Sequence, residues 1–196
     1  MNLEKQVMLD LETFGNGSNA MIVAIGACDF KLDNKFYAVI NPAESTGDID
    51  ASTVVWWLSQ NEAARSALAG SRESLHSALV KLTAWLQNRG EDVCVWGNGA
   101  TFDNVILANA YKRHKLPAPW KFWNVRDCRT IKDVAQGLGV QETKLIGTAH
   151  NALDDAVHQA KWVSGMWQAL RGIKGPSVAT TAAPAPAVES DDDLLG

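Results

Sequence analysis

The sequence is poor in the residues that build covalent or membrane-bound scaffolds. It has only three cysteines in 196 residues, and their odd number and wide spacing argue against a disulfide framework or a zinc site. The longest apolar run, residues 21–28, is too short to cross a bilayer. The N-terminal segment MNLEKQ lacks the apolar stretch of a secretion signal. We therefore expect a cytoplasmic protein that keeps its thiols reduced and does not enter a membrane.

Basic residues are missing from the end of the chain, where no lysine or arginine follows Lys174. Residues 175–196 are rich in proline and alanine, show no helical or strand period, and end in the acidic tip DDDLLG. Such a composition buries too little apolar surface to fold. The sequence therefore predicts one folded domain over residues 1–174 and a disordered tail over 175–196. The tip could dock on a protein partner, could fold back over basic residues as a polyanion mimic, or could only keep the protein in solution.

The net charge of −4 hides an uneven distribution. Residues 1–174 carry equal numbers of acidic and basic side chains, because the tail holds four of the 22 acids. Residues 1–62 have nine acids against three bases, whereas residues 112–132 have seven bases against one acid. A basic face beside an acidic pocket suits a polyanion that is held near a divalent cation. A solvated helix face that is basic by chance would give the same count.

The hydrophobic pattern predicts an α/β protein, because short apolar runs are mixed with segments of helical spacing. The first forty residues alternate as in a β-meander. A short helix that carries Trp56 and Trp57, capped by Asp50 or Ser52, should follow. The expected strands cover residues 6–13, 21–30, 35–41, 92–97 and 123–127, and the expected longer helices cover residues 72–88, 102–114, 129–137 and 151–171.

The stretch VMLDLETFG, residues 7–15, places two acids in a strand that otherwise has a buried pattern. Side chains at i and i+2 of a strand point to the same face, so Asp10 and Glu12 should lie side by side. Burial and mutual repulsion make both ionised forms costly, unless one takes a proton or a cation sits between them. Mg²⁺ or Mn²⁺ fits, because hard cations prefer carboxylate oxygens. An exposed edge strand with two solvated acids would explain the same pattern.

Two later segments add acids at element boundaries. In VWGNGATFDN, residues 95–104, a strand ends in a Gly-x-Gly turn and Asp103 opens a helix, where the helix dipole alone would favour an acid. In HNALDDAVHQAKW, residues 150–162, His150 precedes the last helix. Asp155 lies one turn inside that helix, beside alanines of the packed face, where an acid needs a partner. A surface or helix-capping histidine is the common alternative for His150.

In this order and on these elements, the four acids and the histidine resemble the motifs of the DEDD 3′→5′ exonucleases, in their histidine-containing DEDDh (DnaQ-like) branch. The first motif, D-x-E, matches Asp10-Leu11-Glu12, and the second matches Phe102-Asp103. The third, H-x-A-x-x-D-A, matches residues 150–156 throughout. The resemblance spans residues 5–170, and it is most similar to phage and prophage exonucleases and their actinobacterial relatives, the Rv2179c-like exoribonucleases.

The resemblance implies a fold, a location and a mechanism. The fold is the three-layer ribonuclease-H-like one, in which helices flank a mixed five-stranded sheet whose first three strands form a meander. The location is the cytoplasm of a bacterium or of a phage-infected host cell. The mechanism uses two divalent cations, Mg²⁺ or Mn²⁺, and releases 5′-mononucleotides from the 3′ end.

The resemblance also assigns roles to the matched residues. Asp10 would bridge both cations, Glu12 and Asp155 would complete one site, and Asp103 would hold the second cation directly or through water. His150 would take the proton from the attacking water, a role that suits an imidazole near neutral pH.

Groups that would position the substrate follow less directly from the pattern. The backbone at Thr13 and Phe14 should approach the terminal sugar. Four aromatic residues are candidates to stack on the last bases, although one of the two adjacent tryptophans should belong to the core. Asn98 and Asn104 could bind a phosphate or a base, or serve only in turns, and Arg126 and Arg129 could grip the strand further back. The stacking candidates are Phe14, Phe102, Trp56 and Trp57, of which we assign Phe14, Phe102 and Trp57 to the substrate site.

No residue pattern identifies a reader of the 2′-hydroxyl. We expect the 3′ ends of single-stranded DNA as substrate, because the chain resembles phage enzymes of DNA metabolism. A 3′→5′ exoribonuclease that trims RNA is the first alternative. A non-catalytic nucleic-acid-binding module is the second, but the loss of catalysis usually shows as a substituted metal ligand, and all five motif positions are intact.

Overall fold

A computed structural model describes residues 3–70 and 73–172, which form a mixed five-stranded sheet with helices on both faces. The strand order is β3-β2-β1-β4-β5. The first three strands are antiparallel neighbours and form the predicted meander, whereas β4 is parallel to β1 and β5 is parallel to β4. The strands are β1 (Gln6–Thr13), β2 (Ile22–Asp29), β3 (Lys35–Val39), β4 (Cys94–Gly97) and β5 (Val125–Asp127). The tail predicted over residues 175–196 lies outside the described residues.

Four of the six described helices begin where a short polar side chain accepts a backbone N–H group. The Ser74 hydroxyl accepts from Ser77 N at 3.2 Å, so the helix predicted from residue 72 begins at Leu75. Asp50 occupies the predicted cap position of the first helix, but its carboxylate accepts from Asn16 N at 2.8 Å instead. The second helix was not predicted, because six residues are too few to show a period. The helices are α1 (Ala51–Ser59), α2 (Glu62–Ala67), α3 (Leu75–Gln87), α4 (Asp103–Arg113), α5 (Cys128–Gly137) and α6 (Ala152–Gly172).

The alternation of β1 divides the interior into two cores. Val7, Leu9 and Leu11 are buried with the apolar residues of α3 and α4 on one face of the sheet. Met8 is buried on the other face with residues of α5 and α6. Each fully buried large side chain contributes about 1.5–3 kcal/mol. Since Asp10 and Glu12 share the face of Met8, this packing directs both acids toward α6.

Strands β1, β4 and β5 run parallel, so their C-terminal ends lie side by side at the same end of the sheet. Helix α4 begins shortly after β4, and α5 begins directly after β5. The Asp127 carboxylate caps α5 by accepting from Arg129 N and Thr130 N. Within the described ranges, no helix combines the length and apolarity that a membrane crossing requires.

Candidate active site

Asp10 and Glu12 lie on the same face of β1 as Met8, which is the face that α6 covers. Glu12 is only 6 % exposed, and Asp10 is half-buried. In the antiparallel register with β2, Asp10 is opposite Gly26 and Glu12 is opposite Ala24. These neighbours are small, so space remains above the two acids for another element.

Gly26 lets the start of α6 lie directly on β2. A Cβ atom at residue 26 would come within 2.1 Å of the Ala152 carbonyl carbon. No side chain therefore fits between strand and helix at this point, and α6 approaches β1 closely enough to bring Asp155 and Gln159 to the acids. Gln159 Nε2 donates to Asp10 Oδ1 at 2.8 Å. Gln159 was not predicted, although it lies one helical turn beyond Asp155 and thus on the same face.

Substitution of Gly26 by alanine is expected to lower both activity and stability. The added methyl group must push the start of α6 away from β2, and overpacking of this kind costs about 1–3 kcal/mol. We expect a Tm decrease of about 2–4 °C for each kcal/mol and an activity decrease of roughly 10²-fold, because displacement of a catalytic group by about 1 Å can cost that much. Gly165→Ala is the control. Gly165 lies on α6, the helix that Gly26 contacts, and a Cβ atom at residue 165 meets no atom within 4 Å. Equal behaviour of the two variants would contradict the close-approach role.

Asp103 reaches the same region from the opposite side of the sheet. The β1–β4 ladder covers only Gln6–Met8, so the backbone of β1 beyond Met8 lacks a strand partner on that side. The Asp103 carboxylate accepts there from Leu11 N at 3.2 Å and from Asn98 N at 3.0 Å. The side chain is consequently fixed between the ends of β1 and β4, and the residue is 3 % exposed.

His150 and Asp155 are joined through the start of α6. His150 has a positive φ of 65°, an uncommon conformation for a residue with a side chain. This conformation places its backbone N–H on Asp155 Oδ2 at 2.8 Å. The imidazole packs edge-on against Trp56, with ring centroids 4.8 Å apart. Asn151 caps α6 next to it by accepting from Leu153 N and Asp154 N.

The four acids oppose one another's ionisation. Burial, followed by repulsion from Asp103 and Glu12, raises the pKa of Asp10 well above its ordinary value. Burial, followed by repulsion from Asp155 and Asp103, raises the pKa of Glu12 to about 8. Burial also raises the pKa of Asp103 to about 7, although amide hydrogen bonds oppose the change, and it raises the pKa of Asp155. Without cations the cluster therefore retains protons at pH values where exposed carboxyl groups are ionised.

The cluster fits a divalent cation. Asp10, Glu12 and Asp155 each offer one carboxylate oxygen, and these three atoms lie within 4.8 Å of one another. Glu12 Oε1 is buried and has no hydrogen-bond partner among the described residues. An orphaned buried carboxylate oxygen is costly unless a cation satisfies it. An all-oxygen donor set of this kind suits a hard cation.

Eight of the predicted residues line one cavity of ≈ 350 Å³. It contains all four acids, His150, Asn98, Phe102 and Arg129. Its far wall was not predicted: Lys132 forms an ion pair with Glu142, and His158 Nε2 lies 3.4 Å from the other oxygen of Glu142. These contacts fix the segment before His150 to α5 and α6. Spacing could not reveal them, because Glu142 lies outside any regular element.

The remaining substrate candidates divide into three groups. Thr13 is buried and Phe14 half-buried directly after Glu12, and neither lines the cavity. Phe14 N donates to Met21 O, and Phe14 O accepts from Asp50 N, so this backbone is already paired within the protein. Arg126 lies outside the cavity and lines a neighbouring groove. Asn104 is buried and donates to Val95 O at 3.3 Å, so it supports the β4–α4 turn.

Trp57 requires a correction. It is 5 % exposed, and its indole N–H donates to Thr13 O at 2.8 Å. A ring enclosed in this way has no free face for a base, so the structure does not support stacking by Trp57. The expectation that one tryptophan of the pair belongs to the core holds, and the exposed member is Trp56, at 41 %.

Comparison with known proteins agrees with this geometry. Residues 5–167 match the family described as the 3′–5′ exoribonuclease Rv2179c-like domain. The exodeoxyribonuclease of enterobacteria phage T4 is 25 % identical over 155 residues, which cover 63 % of this chain and 68 % of the phage protein. The nuclease domain of 3′hExo, a DEDDh family member solved with bound rAMP, superposes with a TM-score of 0.54 at 14 % identity, over 84 % of this chain and 92 % of that one. This superposition confirms the predicted fold.

Proposed function

Because the chain belongs to the family of Rv2179c-like 3′–5′ exoribonuclease domains and is a 3′→5′ exonuclease, we propose that Asp10, Glu12, Asp103, Asp155 and His150 form its active site. One observation carries the assignment: side chains from β1, the start of α4 and the start of α6 converge in a single cavity. These residues are separated by up to 145 positions in the sequence, and the fold alone brings them together.

The acids would hold two divalent cations. Asp10, Glu12 and Asp155 would bind one, and Asp10 together with Asp103 would bind the second. When bound, the cations supply an activated water and neutralise the charge that develops on the leaving oxygen. We propose Mg²⁺ or Mn²⁺, because the donors are carboxylate oxygens.

The chain's own groups would orient the reaction. Gln159 Nε2 donates to Asp10 Oδ1 and so fixes the orientation of the shared carboxylate. His150 would accept the proton of the water that attacks the last phosphorus. The bond between that phosphorus and the 3′ oxygen breaks, the 3′ oxygen takes up a proton, and a 5′-mononucleotide leaves. Phe102 and Arg129 line the cavity, where they would contact a terminal base and a phosphate. Phe14, directly after the acids of β1, and the exposed ring of Trp56, which packs against His150, would contact the last bases.

The substrate we propose is the 3′ end of single-stranded DNA. The support is the similarity to the T4 exodeoxyribonuclease, whose name states a DNA substrate. RNA is the second candidate, because the matching family is described by exoribonuclease activity. The acids and His150 act on the phosphodiester group, which both polymers share.

A single assay tests the function and separates the two substrates. The protein is incubated with 5′-labelled DNA and RNA oligonucleotides of matched sequence, in Mg²⁺, Mn²⁺ or EDTA. We expect a ladder that shortens from the 3′ end in either cation, no products in EDTA, and faster shortening of DNA. Faster shortening of RNA would assign the second candidate. Activity that persists in EDTA would contradict the cation-dependent site.

A further inference from the structure

Two large aromatic side chains stand outside the active-site cavity with no apolar cover. Phe122 is 82 % exposed and Trp123 is 60 % exposed, and they lie in the 3₁₀ turn Phe122–Asn124 just before β5. Their rings meet edge-on with centroids 4.8 Å apart. Exposed aromatic pairs of this kind are uncommon on a surface that binds nothing. The pair therefore indicates an interaction surface.

Two cationic side chains lie beside this aromatic pair. Lys121 Nζ lies 5.9 Å from the centre of the Trp123 ring, although it also binds Asp92 at 2.7 Å. Arg126 Nη1 donates to Trp123 O and to Val125 O, both at 2.9 Å, so its guanidinium is fixed beside the turn. Within the described ranges, Arg126 forms no ion pair with a carboxylate. Aromatic faces interleaved with cations suit the bases and phosphates of a single strand.

The first turn of α5 lies between Arg126 and the catalytic cavity. Arg129 lines the catalytic cavity, whereas Arg126, Thr130 and Ile131 line a second cavity of ≈ 440 Å³ on the other side of that turn. Asp127 lies between them, but its carboxylate already accepts three backbone N–H groups, from Ala100, Arg129 and Thr130. Strand β5 runs from the aromatic turn at its start to Asp127 at its end, next to Arg129. A nucleic-acid strand that leaves the catalytic cavity past Arg129 and follows β5 back toward its start would therefore reach Arg126 and then the aromatic turn.

We propose that this surface, Arg126 with Phe122 and Trp123, binds the single-stranded nucleic acid upstream of the 3′ end that is being hydrolysed. The bases stack on the two rings and a phosphate contacts Arg126. The inference rests on the proposed function, because it needs a strand whose 3′ end lies in the cavity. It differs from that function in predicting a dependence on substrate length.

The test compares KM values for a trinucleotide and for an oligonucleotide of about 12 nucleotides, a length within the usual range of single-strand sites. In Trp123→Ala, we expect KM for the longer substrate to rise roughly 5- to 100-fold, the range that loss of one stacked base supports. The trinucleotide should be hydrolysed with unchanged kcat and KM. Trp123→Phe should retain most of the affinity, because a ring remains. Val80→Ala, which truncates an exposed apolar side chain on α3, is the control for a general surface effect.

The outcomes separate the two hypotheses. If the wild-type protein hydrolyses neither substrate, the proposed function is wrong. If it hydrolyses both, and Trp123→Ala changes the two KM values equally or leaves both unchanged, only the upstream surface is wrong. A change in oligomeric state of Trp123→Ala with unchanged KM values would assign the surface to a protein contact and would likewise overturn the proposal.

Discussion

Asp10→Asn is expected to abolish hydrolysis without unfolding the protein. Asp10 is the residue that both proposed cation sites share, and it lies between Glu12, Asp103 and Asp155 in the cavity. Asparagine has the same shape and can still accept the hydrogen bond from Gln159, but it lacks the charge that holds a cation. Since bound cations supply several kcal/mol of transition-state stabilisation, we expect the rate to fall by about 10³-fold or more.

The measurement is the initial rate of mononucleotide release in Mg²⁺ and in Mn²⁺, with circular dichroism as the test of folding. Asp33→Asn is the matched control, because Asp33 is an exposed aspartate in the β2–β3 turn. Its rate should equal that of the wild type. Cation-dependent hydrolysis that survives in folded Asp10→Asn would show that the catalytic cations bind elsewhere.

The same variant has an opposite effect on stability when cations are absent. The folded-state pKa of Glu12 is raised from 4.5 to about 8, so its protonated form favours the folded state. That contribution is complete below about pH 4.5 and is lost as the pH rises through about 8. Asp10 behaves in the same way, because burial and then repulsion from Asp103 and Glu12 raise its pKa well above the ordinary value. Asparagine cannot ionise and so avoids the cost that Asp10 imposes on the folded state as the pH rises. In EDTA, Asp10→Asn should therefore melt above the wild type at pH 8.5, and the difference should shrink toward pH 5.

The bounds of β1 and the shared face of Asp10 and Glu12 could be predicted from the sequence, because both depend on neighbouring residues alone. Alternation of apolar residues over 6–13 fixes which face each side chain takes, and the observed strand has the same bounds. The positions of Asp103, His150 and Asp155 at helix starts were also predictable from the motifs. Their convergence followed from the family resemblance, and the coordinates place all five groups around one cavity.

Other parts of the site depend on contacts between distant segments. The role of Gly26 follows only from the element that crosses above it, which is α6, 126 positions later at Ala152. The ion pair between Lys132 and Glu142 likewise joins a helix to an irregular segment. No spacing rule predicts such pairs, because the loop path is set by the packing of the whole domain.

Residues 112–132, the basic segment of the sequence, show that a charge count does not predict where the charged side chains lie. Its seven cations do not form one face beside the acids. Arg113 binds Thr46 and Asn19, and Lys121 binds Asp92. Arg129 and Lys132 are its members in the cavity, and Lys132 is paired with Glu142. A count along the sequence gives the charge of a segment, whereas the turns within the segment decide where each charge points.

His150→Ala is expected to slow hydrolysis by roughly 10²–10⁴-fold while leaving cation binding intact, because loss of a general base has that magnitude. His150 contacts Asp155 through its backbone N–H, which alanine retains, so the carboxylate should keep its position. The imidazole is the part of the residue that faces the cavity, edge-on to Trp56. The effect should therefore appear in kcat, with the shift of Tm on adding Mn²⁺ unchanged.

The control for His150→Ala is His76→Ala, which removes an exposed imidazole from α3 and should leave the rate unchanged. A slow His150→Ala variant whose Mn²⁺-induced Tm shift is also lost would mean that the histidine matters for the geometry of the acids. An unaltered kcat would remove His150 from the reaction altogether. The expected pattern, a low kcat with full cation binding, separates His150 from the cation ligands, because the loss of a ligand would lower both.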